Sequence, residues 1–328
     1  MKTYKFHSKT GLSLVNEDLP ALGPHDVRIR VRAVSLNYAD LMVARYFDTF
    51  FSEAIVPVSD CAGEVIEIGA AVSRFSVGAR VLSCFFPLWI DGPIPANHED
   101  GVPGVLAEEV ILNEQAIVAM PEYLTFEEGA TLPCAGLTAW NALFEGGNLK
   151  AGDTVVVQGT GGVSLFALQL AKAAGAEVIL TSSGAEKCQR ALSMGASHTV
   201  DYKKIPTWGE HVWALTGNRG ADLVVEVGGA GTFDQTVAAL RFGGTMSLIG
   251  ILAGIEGHIN TLGIVRKGLH VAGIHVGSRG MFESFNRALG ATRIRPVIDT
   301  IFDFDQAQQA YDRIASGAHF GKVVIRVY

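Results

Sequence analysis

Cysteine is scarce: four in 328 residues, Cys61, Cys84, Cys134 and Cys188, with no CxxC spacing among them. That excludes a disulfide-stapled scaffold and a structural zinc loop of closely spaced thiolates, and it leaves these residues as reduced, mostly buried small side chains. Runs of one charge sign are absent as well. With a formal charge of −7 and a pI near 5.7, the chain has no Lys/Arg cluster to track phosphates or an anionic membrane, so nucleic acid is not an expected partner. No stretch of about 18 apolar residues runs uninterrupted, and Met1-Lys-Thr-Tyr-Lys-Phe6 alternates like an amphipathic strand, so a cytoplasmic chain without a membrane partner is expected. Internal repeats and low-complexity tracts are missing too. What remains is 48% hydrophobic content over a length that supplies two cores of ordinary size.

The stretch from Thr154 to Ala176 organises the rest. Thr154-Val-Val-Val-Gln158 is a β-branched run, Gly159-Thr-Gly-Gly-Val-Ser164 interrupts it, and Leu165 to Lys172 takes up helical spacing. Strand, glycine turn and helix in that order form a dinucleotide fingerprint. Gly159 makes the tight turn, Gly161 lets backbone N–H groups approach a pyrophosphate, and the helix directs its positive end at the same charge. Ser164 stands at the third fingerprint position in place of glycine and is small enough for close helix–strand packing. The next strand, about Glu177 to Leu180, ends in Thr181-Ser-Ser-Gly184. An NAD site would place an acid there, roughly 20 residues past the first glycine. Hydroxyls followed by Lys187 suit a 2′-phosphate instead, which favours NADPH; the alternative is that Ser182 and Ser183 cap the helix beginning near Ala185.

Ahead of this region the chain reads as all-β. Val27-Arg-Ile-Arg-Val-Arg32 alternates apolar and charged residues, Cys61 to Gly69 forms a second strand, and Arg80–Cys84 and Val105–Leu112 add two more, which suggests a small barrel. Between Pro87 and Pro103 an irregular stretch carries Pro87, Pro93, Pro95 and Pro103, either a lid beside a pocket or a surface excursion. From Thr125 the periodicity changes, with helices at Phe126–Ala130 and Ala135–Phe144. Strands then alternate with helices at Thr154–Gln158, Glu177–Leu180, His198–Val200, Leu223–Val227, Thr245–Ile249 and Leu269–Ile274, which is the rhythm of a doubly wound sheet. Helices around Phe282–Leu289 and Gln306–Ser316 precede a strand at Lys322–Val327 that is expected to return to the first module.

Taken together, Val157-Gln-Gly-Thr-Gly-Gly-Val163, Lys187, Gly195-Ala196 and Asp201-Tyr202 resemble the medium-chain dehydrogenase/reductase superfamily. So do Ser35-Leu-Asn-Tyr-Ala-Asp40, Val56 to Val65, Glu127 to Thr138 and Gly321-Lys322. The closest pattern is the zinc-lacking quinone oxidoreductase branch. The resemblance implies an α/β fold with an N-terminal GroES-like β-barrel catalytic domain at 1–124, completed by about 279–328, and a doubly wound parallel-sheet Rossmann domain at 125–278. Zinc-dependent members carry a ligand cysteine where this chain has Asn37 and a His-Glu pair where it has Ser59-Asp60. Asn and Ser are poor zinc ligands beside thiolate and imidazole. The second zinc of those members needs four cysteines where this chain offers only Cys84, so no metal is expected; an improvised site from Asp60, Cys61 and His98 is disfavoured because strand neighbours point to opposite faces.

The same resemblance assigns roles. Asn37, Tyr38 and Asp40 lie where the barrel meets the nicotinamide: Asn37 donates to a developing oxyanion or secures a turn, Tyr38 donates or relays a proton or is a packed aromatic, and Asp40 orients its neighbours. Thr138 touches the cofactor near the hydride, or else caps or packs a helix. Gly159, Gly161, Gly162 and Val163 serve the pyrophosphate, and Ser182, Lys187 and Tyr202 the 2′-phosphate. Gly228, Ile249, Gly250 and Val276 cradle ribose and carboxamide. Lys322 closes over the cofactor or is a solvated lysine, and Arg279 grips an anion or is structural. Tyr46, Phe47, Phe50 and Phe51 line an apolar pocket or pack as core; Phe85, Phe86, Leu88 and Trp89 raise the same choice. The expected activity is an NADPH-dependent, zinc-independent hydride transfer to a quinone or other conjugated carbonyl, on a small apolar or aromatic substrate. Enoyl or carbonyl reduction and a low-turnover NADPH-binding redox sensor are the alternatives. In the superfamily it resembles, the sixth Rossmann strand, here Leu269 to Ile274, commonly pairs with its symmetry mate, so the resemblance implies a homodimer that covers an otherwise unpaired apolar edge.

Overall fold

In the computed structural model residues 1–102 and 104–327 are described; Pro103 of the proline-rich stretch lies outside them. The chain divides into two compact units, one formed by Met1–Leu137 together with the segment from Gly277 onward, the other by Thr138–Val276. Residues 125–137 thus fall in the first unit.

The first unit opens with the antiparallel pair β1 (Lys2–His7) and β2 (Gly11–Asn16). Next come β3 (Asp26–Leu36), β4 (Asp60–Ile68), β5 (Arg80–Ser83), β6 (Glu109–Asn113) and β7 (Ile117–Ala119). Val27, Ile29 and Val31 of β3 are completely buried, while the arginines between them reach toward solvent, as period-2 alternation requires. Each such aliphatic side chain contributes roughly 1.5–3 kcal/mol on burial. The strand expected over 105–112 is shorter at its start, because Val105 to Ala107 leave the ladder for bonds to Val58, Pro57 and a bridge with Thr3.

The second unit holds β8 (Thr154–Gln158), β9 (Glu177–Ser182), β10 (His198–Asp201), β11 (Ala221–Glu226), β12 (Leu240–Leu248) and β13 (His270–Gly273). They form one sheet in the order β10-β9-β8-β11-β12-β13, with every pairing parallel. Val155, Val156 and Val157 are fully buried, as strands covered on both faces must be. The order reverses between β8 and β11, and such a switch point is where open α/β sheets bind ligands beyond the strand carboxyl ends. The helix expected over 135–144 is present with a different winding. Leu132–Gly136 and Asn141–Glu145 widen into π turns on either side of Leu137–Trp140, and Gly146 N–H reaches back five residues to Asn141.

The chain closes with β14 (Ile298–Asp303) and β15 (Lys322–Arg326) in the first unit, separated by the helix Ala307–Ala315. They extend its sheet to the order β14-β15-β3-β4-β5-β7, with β6 also on β3. The return of the final strand to the first module is therefore observed, with Val323 opposite Leu36 and Arg326 opposite Ala33. The parallel partner β14 had no distinct signal in the sequence.

Candidate functional site

In the first unit the register of three strands creates a buried polar cluster. β3 ends at Leu36, and antiparallel pairing places the starts of its neighbours beside that end: Asp60 of β4 opposite Ser35, and Val323 of β15 opposite Leu36. Asn37, one residue past β3, and Lys322, at the start of β15, therefore meet across 285 positions of sequence. Lys322 Nζ donates to Leu36 O and to Asn37 Oδ1, each at 2.6 Å, and the lysine is 4% exposed. It is not a solvated lysine. Asn37 also leads into the helix Tyr38–Arg45, and its backbone N–H donates to Asp40 Oδ2 at 2.6 Å, which is one half of a capping box.

Two carboxylates share this interior with a single ammonium. Burial pushes Asp40 up to about 7, helped by the charge of Asp60 and opposed by the Asn37 N–H and Lys322. Burial likewise pushes Asp60 up to about 6, against Lys322, Asn37, the Cys134 N–H and the Ser59 hydroxyl. Asp60 accepts from Cys134 N–H at 3.1 Å and Ser59 Oγ at 3.3 Å. Asp40 thus orients Asn37 and also titrates near neutrality. The Asn37 amide nitrogen lies near enough to Asp60 to lower its proton affinity, yet it is buried and no acceptor meets it at hydrogen-bond geometry. An unmet buried donor costs about 1–3 kcal/mol, which an incoming ligand oxygen would recover.

Ser59 and Asp60 follow Val58, a β-branched residue in the left-handed region at φ 67°. Such strain, about 1–3 kcal/mol, persists where surrounding contacts over-determine it, typically at sites that must be held in one geometry. Cys61 is buried, which pushes its thiol up to about 12, and its N–H donates to Ser83 Oγ at 2.9 Å. His98 packs edge-on to Phe86 with ring centroids 4.8 Å apart and meets Pro95 O through Nδ1 at 2.8 Å, so it organises the proline-rich stretch. Arg279 is occupied by Gln115 and by Glu283 at 3.5 Å, a structural use. The aromatic cluster divides: Phe47 is core, in contact with Phe6, whereas Tyr38, Tyr46, Phe50 and Phe51 are exposed.

In the second unit, Gly159 turns out of β8 at φ 75°, and Gly161 is the N-cap of the helix Gly162–Ala173. A Cβ on Gly161 would meet no protein atom within 4 Å, and no side chain caps the helix start. This uncapped helix start fits a dinucleotide pyrophosphate, which the backbone N–H groups of the first turn would hold. Ser164 earns its fingerprint position by donating to Gln158 O at 2.6 Å, tying helix to strand. At the ends of β9 and β10, Tyr202 N–H donates to Ser182 O at 3.1 Å, so these two are brought together; Ser182 is buried and Tyr202 exposed, with half-buried Lys187 on the following helix.

Gly228, Ile249 and Gly250 converge on a residue that sequence reasoning missed. Glu226, completely buried at the end of β11, accepts from Gly228 N–H at 2.7 Å, Gly229 N–H at 3.0 Å, Thr232 Oγ1 at 2.6 Å, Gln158 Nε2 at 2.5 Å and Thr236 Oγ1. Its own carbonyl accepts from Ile249 and Gly250. A Cβ on Gly250 would fall 1.8 Å from Val227 O, so only glycine permits this approach. Val276, at φ 52°, has its carbonyl held by Asn141 Nδ2 at 2.9 Å. Thr138 is buried on the turn Leu137–Trp140. An acid at a strand end was visible in the sequence, but nothing local shows that five donors surround it.

Comparison with known proteins agrees with this architecture. The alcohol dehydrogenase GroES-like domain family matches residues 23–122, and the zinc-binding dehydrogenase family matches residues 162–291. A zinc-type alcohol dehydrogenase-like protein of Schizosaccharomyces pombe is 40% identical over 93% of this chain and 92% of its own length. A quinone oxidoreductase of Pseudomonas aeruginosa is 29% identical, covering 92% of this chain and 91% of its own. A crystal structure from Sinorhizobium meliloti 1021, of a protein assigned as an alcohol dehydrogenase, superposes with a TM-score of 0.92 at 43% identity, covering 99% of this chain and 98% of that one.

Proposed function

Because the chain belongs to the medium-chain dehydrogenase/reductase superfamily of oxidoreductases, we propose that it is an NADPH-dependent, zinc-independent reductase of quinones or other conjugated carbonyls. The observation that carries this reading is the bond between Lys322 Nζ and Asn37 Oδ1. Where the zinc-dependent members carry thiolate and imidazole ligands, this chain has an amide held by an ammonium, and a serine. Carbonyl activation then falls to hydrogen-bond donors. Asn37 Nδ2, buried and without an acceptor, is the donor for the oxyanion, and Asp40 fixes the backbone from which it projects. Tyr38, exposed at the start of its helix, delivers the proton that a reduced carbonyl requires.

When bound, a nicotinamide cofactor supplies the hydride chemistry. The chain's task is to hold it: Gly159, Gly161, Gly162 and Val163 at the pyrophosphate, Ser182, Lys187 and Tyr202 at the 2′-phosphate, and Gly228, Ile249, Gly250 and Val276 at ribose and carboxamide, with Thr138 near the reacting ring. The preference for NADPH rests on hydroxyls and a lysine where an acid would select NADH. The quinone class is supported by the likeness to the Pseudomonas quinone oxidoreductase and by exposed aromatics suited to flat rings. A homodimer is part of the same reading. β13 is the outer strand of its sheet, with Val271 exposed, and an edge of that kind invites pairing with a second copy. Calorimetric titration with NADPH and NADH, followed by turnover over quinones, enones and aldehydes, tests the proposal. Tighter binding of NADPH and its oxidation by quinones are expected; a preference for NADH, or binding without oxidation by any acceptor, would refute it.

A further inference from the structure

We propose that Lys322 is a positioning residue for the reduction and acts through Asn37: its ammonium polarises the amide and aims Nδ2 as the oxyanion donor. This rests on the reading of Asn37 as that donor. An ammonium has donors only, so the atom it meets at 2.6 Å is the amide oxygen. The orientation of the amide is thereby fixed, and Nδ2 is left buried near Asp60 with no acceptor at hydrogen-bond geometry. Positive charge on an amide oxygen draws electron density from the nitrogen through amide resonance, which strengthens each N–H as a donor in a low-dielectric setting.

Two further observations separate this role from the cofactor clamp expected at Gly321-Lys322. The ammonium donates to the Leu36 carbonyl at the end of β3 and to the Asn37 amide oxygen just beyond it, and Lys322 is almost completely buried. Its charge acts on Asp40 and Asp60 together, so three ionisable groups from three chain segments enclose one amide. Stability alone is a poor reason for such a cluster, since buried ion groups are often no better than apolar residues of like volume. Presentation of a donor is a sufficient one.

Single-turnover oxidation of saturating NADPH by a benzoquinone, with NADPH affinity measured separately, tests the assignment in Lys322→Met, Asn37→Asp and the double variant. Asp at position 37 keeps an oxygen for the ammonium, removes the amide donor and adds a negative charge where the oxyanion would form, so hydride transfer should fall at least about 100-fold. Lys322→Met should slow the same step at least about tenfold with the NADPH dissociation constant within about twofold of wild type, and the double variant should be no slower than Asn37→Asp. A Lys322→Met enzyme that binds NADPH about tenfold more weakly yet turns over normally at saturation would make Lys322 a clamp and overturn the inference, as would losses that multiply in the double variant. Should Asn37→Asp transfer hydride at the wild-type rate, the donor reading itself fails, whatever Lys322 does. If Lys322→Met does not fold, Lys322→Gln keeps a donor without the charge; a rate at least tenfold below wild type supports the role, and a wild-type rate overturns it.

Discussion

Glu226 in one unit and the Asp40–Asp60 pair in the other are all buried carboxylates, yet they are surrounded in opposite ways. Glu226 accepts from five hydrogen-bond donors, all of them backbone N–H, hydroxyl or amide groups. Asp40 and Asp60 share one ammonium and have few donors each, so burial dominates and both are pushed toward neutral pH. The difference teaches that a carboxylate fully met by backbone N–H and hydroxyl groups acts as a fastener, here joining β8, β11 and the turn at Gly228. One left short of donors is free to respond to charge and protons. The first kind builds the cradle, and the second surrounds the candidate donor.

The largest expected effect comes from removing the fastener. Glu226→Leu strands the N–H groups of Gly228 and Gly229 and takes away one of the two acceptors of Gln158 Nε2, and should cost about 3 kcal/mol or more in urea unfolding. A loss below about 1 kcal/mol would erase the contrast.

A smaller effect, of a few degrees in melting temperature, should appear in the pH dependence of Asp40→Asn. The carboxyl of Asp40 is raised from 3.8 to about 7, so the folded state binds its proton more tightly than the unfolded state does. Its stabilising contribution is present in full below about pH 3.8 and is lost as pH rises through about 7. Wild type should therefore lose stability over that window relative to Asp40→Asn, the gap being widest above pH 7. Asp60, raised to about 6, leaves a residual slope in both proteins that ends lower. Parallel melting curves for the two proteins from pH 4 to pH 8 would contradict this account.

The smallest effect on stability sharpens the cradle. Gly161→Ala adds a Cβ that meets no protein atom, so the melting temperature should stay unchanged while NADPH affinity falls about tenfold, which is about 1.4 kcal/mol. Gly250→Ala drives its Cβ into Val227 O and should lower both. Equal behaviour of the two variants would mean that Gly161 faces no ligand.

The parallel sheet and its glycine turn were legible because their signals are local: an apolar run, a turn, a helical period. Each strand expected in that unit is present, with ends shifted by a few residues. The polar cluster was legible only in part. Asn37, Asp40 and Lys322 stood out by type and motif, but their meeting depends on the antiparallel register of β3 with β4 and β15, which joins residues 285 positions apart and has no local signature. Asp60 was therefore noticed as part of the Ser59-Asp60 pair and as a member of an improvised metal site, and not for its place beside Lys322. Lys322 itself read as cofactor-facing or solvated, since a lysine after glycine carries no sign of burial. Glu226 escaped for a different reason: four of its donors follow within ten residues, but that the loop after β11 folds back onto the carboxylate, and that Gln158 reaches it from 68 positions away, has no local signature.

The central claim is that hydrogen-bond donors in the first unit, and not a metal ion, activate the acceptor. The most direct measurement is stopped-flow oxidation of NADPH by a quinone, using enzyme stripped by a chelator and assayed for zinc content in the same sample. The account predicts an undiminished rate at a zinc content near zero and no gain when zinc is returned. A rate that rises in proportion to zinc, reaching its maximum at about one ion per chain, would contradict it.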